Sequence, residues 1–229
     1  MLIIGRTEIN MTLQTLYRPV GLKEMELILQ SEAKEFPPRL PEQPIFYPVL
    51  NKAYAEQIAR DWNTKDANSG FVGFVTAFDV NKAYLDQFEE HVVGSAIHQE
   101  LWIPAEELAQ FNQHISGKIR MIEGWYGENF KGSKHWYQDW YAKEMFIALY
   151  ASSNPHDFSS EITLNRYALQ INFKFWVTHD FGDYVELNDF EASIAPHEKI
   201  VFLNRVAQNW KIQFPDTALL GSALVQDSM

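Results

Sequence analysis

The segment SAIHQELWIP, residues 95–104, places a histidine and a carboxylate two positions apart. In a strand, side chains alternate between faces, so His98 and Glu100 would project together, with Val92, Ala96, Trp102 and Pro104 at the same parity. A carboxylate beside an imidazole among apolar neighbours is a candidate general base or a stabiliser of developing positive charge. The same spacing also suits a solvated face, with Ile97, Gln99 and Leu101 turned inward. Arg18 is a second candidate. It closes the alternating run TLQTLYR before Pro19 and Gly21, at the expected end of a strand. Arginine is always charged and binds carboxylates and phosphates through two parallel hydrogen bonds. A strand-end arginine in a surface ion pair is the plainer reading. Arg39, in FPPRLPE, either reaches a ligand from a proline-stiffened loop or pairs with Glu42. Tyr47 and Tyr54, in IFYPVLNKAYAEQIA, fall at a strand end and in the opening turns of a helix. Each ring could stack on a planar ligand or pack the helix against a sheet.

The elements that must position these residues follow from pattern. Leu22, Met25, Ile28 and Leu29 recur at helical spacing, and Pro37, Pro38 and Pro41 then forbid regular structure. PIFYPVL is a short apolar strand. NKAYAEQIARDW is a helix capped by Asn51, with Tyr54, Ala55, Ile58 and Trp62 on one face. GFVGFVTAFDV, SAIHQELWIP and GKIRMIEGWY read as strands, NKAYLDQF as a short helical turn, and PAEELAQFNQHI as a helix opened by Pro104. Near residue 126 the composition changes, and GENFKGSKH reads as a linker. Beyond it, WYQDWYAKEMFIALYAS stacks Trp136 on Trp140 at helical spacing, and HEKIVFLNRVAQNWKIQF is a helix ending at Pro215. Residues 161–181 partly alternate, yet their length favours helix. The expectation is an α+β fold: a mixed-sheet domain over residues 11–125, then a mostly helical domain over 130–229.

Bulk composition narrows the function classes. Of 229 residues, 46% are hydrophobic and 14% aromatic, enough to bury a core. Lys and Arg number 19 against 30 Asp and Glu, a net charge of -11, and no basic run occurs. That field opposes a phosphate backbone or an anionic membrane, so neither is expected as a partner. The absence of cysteine excludes disulfides, thiolate metal sites and cysteine nucleophiles. The seven histidines form no HxxxH or HExxH, and there is no GxSxG, P-loop or glycine-rich nucleotide fingerprint. MLIIGRTEIN is too short for a signal-peptide core, and no apolar run reaches the ~20 residues of a membrane span. A soluble, cytoplasmic protein is expected, with residues 1–10 a loose extension before Met11.

Strand-arginine, then strand-aromatic-helix, then a strand bearing glutamate resembles the ADP-ribosyltransferase fold. The stretch TLYRPVGLKEMELI…FPPRLPEQPIFYPVLNKAYAEQIARDWN also resembles a largely uncharacterised bacterial family labelled "ADP-ribosylation/crystallin J1". Together these cover about residues 12–125. The resemblance implies NAD as a substrate, cleaved by ADP-ribosyl transfer or glycohydrolysis. Glu100 would stabilise the oxocarbenium-like ribose with His98 beside it, Arg18 and Arg39 would hold phosphate or ribose, and Tyr47 or Tyr54 would stack on nicotinamide. The sequence departs from the transferase pattern at Phe46-Tyr47-Pro48, where Ser-Thr-Ser is usual, and at His98, where Glu or Gln is usual. Two alternatives accompany this reading. One is a non-catalytic module that binds a protein partner, or a second copy of itself, through the aromatic helical half with Trp136, Trp140 and Trp210. The weaker one is a metal-dependent hydrolase of ADP-ribose.

Overall fold

The computed structural model describes residues 12–152, 155–182 and 184–226. The expected extension at residues 1–10, with Met11, lies outside them. The first half runs β1 (Leu13–Val20), α1 (Leu22–Gln30), β2 (Ile45–Phe46), α2 (Lys52–Asp61), β3 (Val72–Asn81), α3 (Lys82–Leu85), β4 (Glu90–Val92), β5 (Gln99–Leu101), β6 (Ile103–Pro104), α4 (Leu108–Gln113) and β7 (Ile115–Tyr126). The second half adds α5 (Ala142–Ala151), α6 (Pro155–Leu164), α7 (Arg166–Thr178), the hairpin β8 (Tyr184–Leu187) and β9 (Phe190–Ser193), α8 (Pro196–Gln213) and α9 (Ser222–Gln226). The fold is α+β with small antiparallel sheets.

The central strand β3 is buried along almost its whole length because both of its faces are covered. β1 and β7 flank it, each antiparallel. Val49 then bridges Tyr17 on one side and Glu100 on the other, so residues 48–50 and the β4–β5 hairpin carry the sheet beyond β1. Residues directly opposite in such a ladder share a face. One face carries Leu16, Val20, Phe74 and Phe78 into the main core. The other carries Val49 and Val75 against Tyr54, Ala55 and Ala59 of α2. Gly73 sets that contact: a Cβ there would lie 2.2 Å from the Ala59 carbonyl oxygen, so only glycine lets α2 approach β3 this closely.

Several expected elements shift. β1 runs two residues past Arg18, so the arginine does not end the strand. Residues 95–98 are a turn, closed by the His98 amide on the Ser95 carbonyl, and the strand carrying Glu100 starts at Gln99. Trp62 is 54% exposed, because α2 buries Ala59 instead. No helix forms at Trp136. The His135 amide bonds the Trp140 carbonyl and the Trp136 amide bonds Asn165 Oδ1, which bends the backbone until α5 begins at Ala142. Residues 161–178 are helical with a break at Asn165, and the β8–β9 hairpin was not legible as strand.

No break in packing marks residue 126. One buried cluster joins Leu16 and Phe74 to Phe146, Trp176 and Val225. The expected linker is itself pinned: Asn172 holds the Ser133 amide and carbonyl at 2.8 and 2.9 Å. Gly132 there has φ +102, and a Cβ would meet Ala142 at 2.4 Å, so close packing and a left-handed backbone both select glycine.

Candidate functional site

Arg18 lies on the main-core face and is buried. Val20 and Gly21 lead straight into α1, whose first turn presents Glu24 back toward the strand. Arg18 Nε donates to Glu24 Oε1 at 2.7 Å and Nη2 to Oε2 at 3.1 Å, the paired geometry that guanidinium favours. Nη1 donates to the Tyr47 carbonyl at 3.1 Å, and the guanidinium lies 4.6 Å from the Phe46 ring centroid. The charge that sequence left open is therefore neutralised inside the protein. Arg39 is nearby and half-buried. Its Nε donates to the Ile45 carbonyl at 3.2 Å, and no ion pair with Glu42 forms. Burial, then the Arg18 charge, lowers its pKa.

Glu100 projects from the opposite face. Its position opposite Val49 and Tyr17 fixes this, since Arg18 is one residue out of step with Tyr17. Tyr54, on the first turns of α2, donates its hydroxyl to Glu100 Oε1 at 2.9 Å. Trp102 Nε1 donates to Oε2 at 3.1 Å. Both donors are neutral, so the carboxylate is oriented without a countercharge. Burial of the Tyr54 hydroxyl, then its bond to Glu100 and that carboxylate's charge, push the Tyr54 pKa up to about 12.

Aromatic rings frame this carboxylate. His98 stacks on Tyr54 at 4.1 Å, with its ring nitrogens 3.1 Å from Gln57 Oε1 and 3.2 Å from the Val93 carbonyl. His91, opposite Glu100 in the hairpin, stacks on Trp102 at 4.2 Å. Tyr47 meets Trp102 edge-on at 6.0 Å. Trp102 is 40% and Tyr47 37% exposed, whereas Tyr54 is 5% exposed with one ring face taken by His98. Of the two tyrosines expected to stack on a ligand, Tyr47 has the open ring.

The structure thus brings together Tyr54, His98 and Glu100, with Tyr47 at the rim, and sets Arg18 and Arg39 across the sheet. Sequence reasoning gave no role to Glu24, Gln57, His91 or Trp102. Trp102 carried a signal, the same parity as Glu100. Glu24 carried one too: a first-turn acid in the helix that follows the Arg18 strand.

Comparison of the chain with family models, curated proteins and solved structures finds no match. Among the described residues, no three His, Asp or Glu side chains cluster as metal ligands, and no helix is long and apolar enough to cross a membrane.

Proposed function

We propose that the chain is a binding module, and that the Glu100 surface recognises a cationic side chain of a protein partner. The observation that carries this is the state of the carboxylate. Two neutral donors hold it in place, no Lys or Arg among the described residues pairs with it, and exposed rings of Trp102 and Tyr47 stand beside it. A planar carboxylate suits the arginine fork, and aromatic faces attract cations. The chain's net charge of -11 draws basic partners toward it. On this reading recognition lies on the sheet hairpin; in the helical half Trp210 is buried with Nε1 bonded to the Thr217 carbonyl, while Trp136 is exposed and, among the described residues, has no held carboxylate bonded to its ring nitrogen.

A second reading is NAD-directed ADP-ribosyl chemistry on an ADP-ribosyltransferase-like fold. Two observations favour it. The arginine strand, the segment 48–50 that follows Phe46 and Tyr47, and the glutamate strand lie side by side in that order. Arg39 also has no hydrogen-bond partner for its terminal nitrogens among the described residues, beside an already neutralised Arg18. Against it stands the placement of Arg18 and Glu100 on opposite faces.

Calorimetric titration separates the two readings. A short arginine-containing peptide should bind, its citrulline counterpart should not, and Glu100→Gln should abolish the difference. Saturable heat from NAD that is lost in Arg39→Ala would favour the second reading instead.

A further inference from the structure

A second carboxylate sits in a different setting, far from the sheet hairpin in sequence. His135 is buried, and its Nδ1 accepts the Gln138 amide at 3.1 Å. Nε2 therefore carries the proton in the neutral ring and donates to Glu161 Oε2, 3.0 Å away, so Asn165 Nδ2, also 3.0 Å from Nε2, is a neighbour rather than its hydrogen-bond donor. Asn165 Nδ2 donates to the same oxygen at 2.9 Å, while its Oδ1 accepts the Trp136 amide, which fixes the orientation of the amide. Glu161 is thus held by two neutral donors, and its side chain remains 33% exposed.

This cluster borders a cavity of about 240 Å³. Tyr137, Trp140, Met145 and Leu149 give it aromatic and apolar walls, and among the described residues neither lysine nor arginine lines it. Glu161 is the one Asp, Glu, Lys or Arg among the described lining residues. Glu24 and Glu123 meet a cation, Arg18 and Lys174, whereas Glu161, like Glu100, meets neutral donors. A partly desolvated carboxylate without a cation is costly, and a cation with an apolar body would offset that cost.

We infer that this cavity between α5, α6 and the 135–140 bend binds a small organic ammonium ion, its charge on Glu161 and its apolar part against Trp140 and Tyr137. Aromatic walls attract ammonium groups through their ring faces, and the small volume limits the ligand to a few carbons. Primary and quaternary ammonium ions share this chemistry.

The test is calorimetric titration of the full chain with choline, with 3-methylbutylamine, and with 3,3-dimethyl-1-butanol, the uncharged isostere of choline. At least one cation should bind one-to-one, and the alcohol should bind at least about tenfold more weakly. Which cation binds more tightly distinguishes a quaternary from a primary ligand. Glu161→Gln and Trp140→Leu should each weaken the cation by about tenfold or more, whereas Glu100→Gln should leave it unchanged. Equal binding of alcohol and cation overturns the inference, as does absence of heat with both cations up to about 10 mM. Loss in Glu100→Gln but not in Glu161→Gln overturns it too, by moving the site to the sheet hairpin. If Glu161→Gln does not fold, the comparison of cation with alcohol on the unaltered chain still decides.

Discussion

Arg18 and Glu100 occupy neighbouring parts of one sheet, yet their surroundings give them opposite tasks. Arg18 is buried beneath Phe46 and meets a full countercharge in Glu24. Glu100 is half-exposed and meets only neutral donors. A charge cancelled internally holds structure together. A charge oriented but not cancelled is available to a partner. The difference arises from one step of strand parity, which sends one side chain into the core and the other to the α2 face.

The largest expected effect falls on the Arg18 side. Arg18→Met leaves Glu24 without its cation and should cost about 3 kcal/mol or more in chemical denaturation. Combining it with Glu24→Leu should recover most of that loss, because removing both members of a buried pair is far cheaper than removing one. If the single substitution is silent, the contrast collapses.

Next comes the support of the Glu100 face. Gly73→Ala places a methyl group against the Ala59 carbonyl and should cost about 2–3 kcal/mol, with α2 and Tyr54 displaced. A pH effect of similar kind follows from Tyr54. Its pKa is raised from 10 to about 12 in the folded chain, so folding favours the protonated form. The stabilisation is present below pH 10 and is lost as the pH rises from 10 to about 12, by at most about 3 kcal/mol. Burial raises Tyr126 as well, so the measurement is the difference between pH-dependent melts of the parent and of Tyr54→Phe, which should show the shallower loss.

The smallest effects sharpen the comparison. At neutral pH Tyr54→Phe should cost about 1 kcal/mol, since water can reach the released Glu100 oxygen. Glu100→Gln should change stability by less than about 0.5 kcal/mol while removing peptide binding. A large stability loss in Glu100→Gln would assign both charges the same structural task.

Much of this contrast was visible in sequence, but not its geometry. Alternation identified the Arg18 strand, and the capping of α2 by Asn51 follows directly from residue type, with its side chain accepting the Ala53 amide at 2.9 Å. The parity of Glu100 and Trp102 was legible too. What sequence could not give was register between strands: whether Tyr17 or Arg18 stands opposite Val49 depends on tertiary packing, and a slip of one residue exchanges the faces. The 135–141 bend was misread for a related reason. Its aromatic spacing suits a helix, but His135 and Asn165, 30 residues apart, claim its backbone hydrogen bonds. The polar segment beyond residue 126 reads as a linker for a similar reason: its backbone is fixed at Ser133 by Asn172, 39 residues away, which no local pattern reveals.

The most direct test follows the Trp102 indole N–H resonance during titration with an arginine-containing peptide. That hydrogen bonds Glu100 Oε2, so it reports on the carboxylate itself. The account predicts a saturable shift with the arginine peptide, none with the citrulline peptide, and none with either in Glu100→Gln. An unmoved resonance, or an equal shift in Glu100→Gln, would contradict it.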